Sequence, residues 1–160
     1  MKDQKVTARI LVEVIGGPKE YVEKTLGEVV KKLKAEKKIR ILTEKSFEAK
    51  TISGEELEKL AASMQRKTDD VKAMENKLFS AFAEVELEVD KLKHLMDICF
   101  DYAPSTVEIL EPAGMDIDCN DITEMLNDLL AKIHRYTYVI KAQQAQLLAV
   151  QEYLKQGDKK

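Results

Sequence analysis

Few side chains could do metal or nucleophilic chemistry. The chain has two cysteines, Cys99 and Cys119, and two histidines, His94 and His134. A zinc site would need paired ligands at a spacing such as Cys-x-x-Cys, and none of the four stands so. Cys99 falls on the apolar stripe of a predicted helix and is expected as a small core residue. His94 lies off that stripe and His134 off the seam of the C-terminal helix, so both are expected at the surface. Nucleophilic catalysis needs a nucleophile, a base and an orienting group brought together, and neither histidine stands in a strand-end loop. The 29 Asp and Glu residues always supply a carboxylate pair, so no pair singles itself out for acid–base work. No catalytic residue, metal ligand or cofactor is assigned, and the chain is expected to be non-enzymatic.

Two short motifs come closer to a ligand. Asp116, Asp118 and Asn120 match positions one, three and five of an EF-hand loop. Its sixth position should be glycine and is Asp121, and its twelfth should be glutamate and is Asn127. Without the sharp turn and the bidentate ligand, the acidic run reads as a helix start, with Asp121 and Glu124 at the cap and third positions. Gly16-Gly17-Pro18 joins a predicted strand to a predicted helix, where backbone N–H groups can receive an anion. No Gly-Lys-Ser/Thr follows it, and it is not a G-x-G-x-x-G run. The stretch Val14 to Leu26 resembles the first strand–helix loop of ACT domains, ferredoxin-like modules that bind amino acids at paired sheets. That resemblance implies a small-molecule-responsive regulatory domain with Gly16, Gly17 and Pro18 as its ligand loop, and it carries over no further ligand residue.

The elements that would position these residues follow from periodicity. Val6, Ala8, Ile10, Val12 and Val14 alternate with Thr7, Arg9, Leu11 and Glu13, which predicts a strand with one buried face. Val22, Leu26, Val29, Val30 and Leu33 put one apolar face on a helix from Pro18 to Glu36. A second strand is predicted over Ile39 to Thr51. Ser53 and Glu56 have capping-box spacing and open a long helix to Leu78, with Leu57, Leu60, Met64, Val71 and Met74 on its seam and Lys67 in one slot. Ala81, Ala83, Val85, Leu87 and Val89 share one face of a strand over Phe79 to Val89, with Glu84, Glu86 and Glu88 on the other. Asp90 is expected to cap a helix lined by Leu92, Leu95, Met96 and Cys99. A fourth strand carries Val107 and Ile109 alternating with Glu108 and Leu110, up to Pro112. The plan is α+β: two βαβ halves in a ferredoxin-like antiparallel sheet, with a helical insertion at 53–78. The expected domain division is a core over 1–117, a long C-terminal helix over 118–157 and a tail at 158–160.

The terminal helix has the strongest pattern. Leu126, Ile133, Ile140, Leu147 and Leu154 take one heptad position, and Ile122, Leu129, Tyr136, Gln143 and Val150 the other. A repeat of about 3.5 residues held this long is a coiled-coil seam. Its flanks, Met125, Val139, Gln146 and Tyr153 on one side and Leu130, Thr137, Gln144 and Gln151 on the other, are uncharged and partly apolar. That widens the stripe and points to packing against more than one helix.

Composition bounds the rest. The 160 residues are 44% apolar and 34% charged, enough for one domain with its own core. No apolar run approaches the roughly 18 residues of a membrane span, no signal peptide is expected at Met1 to Lys5, and the location is expected to be cytoplasmic with reduced thiols. Residues 1–50 hold 13 Lys/Arg and 8 Asp/Glu, a net of +5, and residues 84–128 a net of −11. The outward strand face, rich in glutamate, repels phosphate, so no nucleic-acid partner is expected. Leu11, Phe82, Leu42 and Leu110 are apolar on that face and need a cover. The expected function is an oligomeric interaction or scaffolding module acting through long-helix pairing, a homodimer or larger, with a further protein partner allowed. The alternative is the ACT-like ligand-binding domain.

Overall fold

The computed structural model describes residues 5–63 and 77–157. The elements are β1 (Val6–Gly16), α1 (Lys19–Lys34), β2 (Ile39–Ser46), β3 (Lys50–Thr51), α2 (Gly54–Ser63), β4 (Phe79–Val89), α3 (Leu92–Tyr102), β5 (Thr106–Glu111) and α4 (Cys119–Gly157). The chain is α+β, with a five-stranded antiparallel sheet and a long C-terminal helix. It divides into two units, one ending at Met115 and the other beginning at Asp116.

In the first unit the strand order is β2–β4–β1–β5, and β3 extends the β2 edge along β4. The alternating runs make the two central strands. β1 and β4 pair over their full length, from Val6 opposite Val89 to Gly16 opposite Phe79. One face carries Val6, Ala8, Ile10 and Val12 beside Ala81, Ala83, Val85, Leu87 and Val89, all buried. α1 lays Val22, Leu26, Val30 and Leu33 on this face, and Leu95 and Ile98 of α3 complete the core. Burial of this apolar surface is the main stabilising term, and no polar residue is buried among the described residues.

Several local expectations change. The strand read as Ile39 to Thr51 is interrupted after Ser46. There Ala49 turns into the core, 6% exposed, and donates its N–H to the Glu23 carboxylate of α1 at 3.0 Å. Asp90 does not cap α3: Lys91 holds that position, with no side-chain cap bond. The buried residue that the α3 stripe missed is Ile98. Ser53 and Glu56 do meet, the Ser53 N–H donating to the Glu56 carboxylate at 2.9 Å. Leu57 of α2 packs with Ile52 and Leu78 in a small second cluster. Met64, Lys67, Val71 and Met74 lie outside the described residues, as do the tail 158–160 and residues 1–4.

Candidate functional site

The second unit holds α4. Asp118 starts it: its carboxylate accepts the Asn120 N–H at 2.7 Å and its carbonyl the Ile122 N–H at 3.1 Å. The cap is therefore Asp118, three residues before the expected Asp121, which instead lies in the first turn, where its charge suits the positive end of the helix dipole. Of the EF-hand-like residues, Asp118 thus serves the helix start. The helix runs 39 residues, about 58 Å at 1.5 Å per residue.

All nine apolar seam residues, Ile122, Leu126, Leu129, Ile133, Tyr136, Ile140, Leu147, Val150 and Leu154, fall in this one helix. Only Leu129 is half-buried; the other eight are exposed. From Ile133 to Lys155 every residue is exposed. Leu130, Val139, Leu148 and Tyr153 broaden the exposed stripe. The flank is not wholly uncharged, because Lys132 sits between Met125 and Val139. A contiguous apolar stripe of this length is more than singly scattered surface residues account for.

The Gly16-Gly17-Pro18 loop joins β1 to α1. Pro18 opens α1, and its carbonyl takes the N–H groups of Tyr21 and Val22. A Cβ on Gly17 would lie 2.4 Å from the backbone oxygen of Lys77. The glycine is explained by this close approach of the chain to itself.

The outward face of the sheet is an ion-pair lattice. Arg9 reaches Glu86 at 2.7 Å, Glu108 at 3.2 Å and Glu84 at 3.9 Å, while Glu88 is held by Lys5 at 2.9 Å and Arg40 at 3.0 Å. The Arg9 hydrogen bond holds the Glu86 carboxyl below the ordinary range, and Lys5, then Arg40, do so for Glu88. Phe82 is covered by Phe47, whose ring stacks on it at 4.4 Å between centroids. Sequence periodicity pointed to an apolar residue needing a cover but not to the residue supplying it. Leu42, at a register shift in β2, stays exposed. On the other face Val107 and Ile109 of β5 stand opposite the buried Ile10 and Ala8, yet are 48% and 46% exposed.

The four possible soft ligands are divided between the two units, Cys99 and His94 in α3, Cys119 and His134 in α4. Cys99 is partly buried, and burial pushes its thiol up, while Cys119 is exposed at the start of α4. His94 lines a shallow cavity of about 570 Å³ with Lys37, Lys38, Asp97 and Asp101, which periodicity did not reveal. His134 is exposed on α4. Among the described residues no helix is long and apolar enough to cross a membrane.

The model of one protein family, described as the MJ0538 family, matches residues 7–157. No curated protein and no solved structure matches the chain.

Proposed function

The chain belongs to the MJ0538 family, and from that footing we propose that it is a non-enzymatic interaction module that assembles with copies of itself through α4. The observation that carries this is the exposed seam: eight of its nine apolar residues face water in the single chain. Pairing the helices as a coiled coil or small bundle removes that stripe from solvent. The sheet forms the first unit. Its order, β2–β4–β1–β5 with each βαβ half contributing a central and an edge strand, supports the ferredoxin-like reading. The working location is the cytoplasm, and the assembly uses no cofactor.

Light scattering over a concentration series tests the proposal. The mass expected at tens of micromolar is at least twice the 18.2 kDa of one chain. A mass of one chain throughout that range overturns it. The small-molecule alternative has less support, because the Lys77 carbonyl occupies the space beside Gly17. It is tested by a thermal-shift screen with amino acids, where a ligand that binds only the native state raises Tm.

A further inference from the structure

Resting on the reading of α4 as a self-association helix, we propose that the helices of two copies pair parallel and in register, with Gln143 fixing the alignment. Gln143 is the one polar residue in an otherwise apolar seam, and it is as exposed as its neighbours. Its amide is both donor and acceptor, so it is complementary to a second copy of itself. In a parallel, in-register pair each seam residue meets its own counterpart, and the two Gln143 amides satisfy each other. A single polar residue, Asn or Lys, in the other kind of seam slot sets register in coiled coils, and Gln143 is assigned the same part here.

An antiparallel pair cannot do this. There the two kinds of seam slot oppose each other, so Gln143 always faces the Leu126–Ile133–Ile140 series. With the helices fully overlapped it faces Ile133. The amide is then buried against an aliphatic side chain with its hydrogen bonds unmade, the costly case for a polar group. Sliding the antiparallel helices until the two Gln143 meet sets Ile140 against Gln146 and spoils the seam. The parallel arrangement also avoids facing like charges. Asp121, Glu124, Asp128, Arg135 and Lys141 lie away from the seam, and Lys132 faces the uncharged Thr137 across it.

Cys119 occupies the seam slot one heptad before Leu126 and is exposed, so the native chain carries its own reporter. Parallel registration sets the two Cys119 thiols side by side. Full antiparallel overlap sets them about 58 Å apart, the length of the helix. Copper–phenanthroline, added to the full chain, takes two electrons from the pair of thiols; one S–S bond forms in place of two S–H bonds and two protons are released. The expected product is a covalent dimer that Cys119→Ser abolishes and Cys99→Ser leaves intact. Independently, Gln143→Glu and Gln143→Lys chains should each self-associate poorly. Mixed, they should form the hetero-oligomer with at least a ~10-fold preference, because opposed charges meet only if the two 143 positions face each other. An oligomer that does not cross-link through Cys119, or that shows no mixed preference, overturns the parallel register while leaving self-association standing. A chain that stays monomeric at tens of micromolar removes both.

Discussion

Replacing Ile140 by Asp places a carboxylate at the middle of the α4 seam. In the single chain Ile140 is 52% exposed, so about half of its surface is left for a partner to bury. Full burial of such a side chain is worth ~2–3 kcal/mol, so the remaining half contributes roughly 1 kcal/mol per subunit and about 2 per pair. The substitution removes that term and adds an unpaired charge in a closing interface, for which ~3–5 kcal/mol is typical when no partner group compensates. Taking the low end for the charge, the pair loses about 5 kcal/mol, a rise in Kd of more than 1,000-fold at ~1.4 kcal/mol per decade. Sedimentation equilibrium from about 1 to 300 µM reads this directly, and the wild-type oligomer should become monomeric over the range. Ala142→Asp is the control. It adds the same charge two residues along, on the outer side of the helix, and should leave association within about threefold of wild type. Equal loss in both variants would mean that charge or helix propensity was responsible and not the seam. An unchanged Ile140→Asp oligomer would mean that α4 does not hold the copies together.

Other consequences are open to simpler measurements. Ala103 ends α3 in the left-handed region, φ 44°, with its N–H on the Cys99 carbonyl at 3.1 Å. Ala103→Gly should therefore raise stability by about 0.5–1 kcal/mol in denaturant melts, and a loss of stability would refute that account. Glu86 and Glu88 have lowered pKa values in the fold, so their ion pairs stabilise above the unfolded carboxylate range, about 4.3, and are lost as pH falls through the folded values. Tm should drop between about pH 5 and pH 3, and Arg9→Met should flatten part of that drop. Tyr102 is pushed up to about 12, by burial and then by the hydroxyl's hydrogen bond to Glu36. Its contribution is full below the ordinary value near 10 and is lost as pH rises through 12. Tyr102→Phe should remove that alkaline limb, and an unchanged limb would assign it elsewhere. Cys119 should react with a thiol reagent in the folded chain and Cys99 only slowly, the reverse order overturning both placements.

Much of the sheet was legible because β1 and β4 alternate without a break, and a period of two leaves one register that buries every valine, alanine and isoleucine of their core face. The limits were just as physical. Alternation tells which face of β5 holds Val107 and Ile109 but not how far a helix extends over that edge, so their exposure was not foreseeable. The break at Phe47 arises from contacts 26 and more residues away, the Glu23 carboxylate on Ala49 and the ring of Phe82. At α4 the acidic run offered Asp118 and Asp121 as caps, and periodicity alone did not choose between them. The long helix itself was legible from the spacing of its apolar residues.

The strand order has a consequence for folding. β1 pairs with β4 and β5, and β4 also pairs with β2 and β3, so among the described strands every ladder joins one half of the chain to the other. Neither half owns a single strand pair, and neither could hold a sheet if synthesised alone. The Arg9–Glu86 contact spans 77 positions and the shortest ladder, Thr51 opposite Phe79, spans 28, so the chain must close a loop of at least that length before any of these ladders stabilises it. Such non-local pairing slows folding relative to a helical bundle of the same size. The first half leaves the ribosome with α1 to lay on its apolar strand face but with no strand to pair β1 until Phe79 to Val89 has been made.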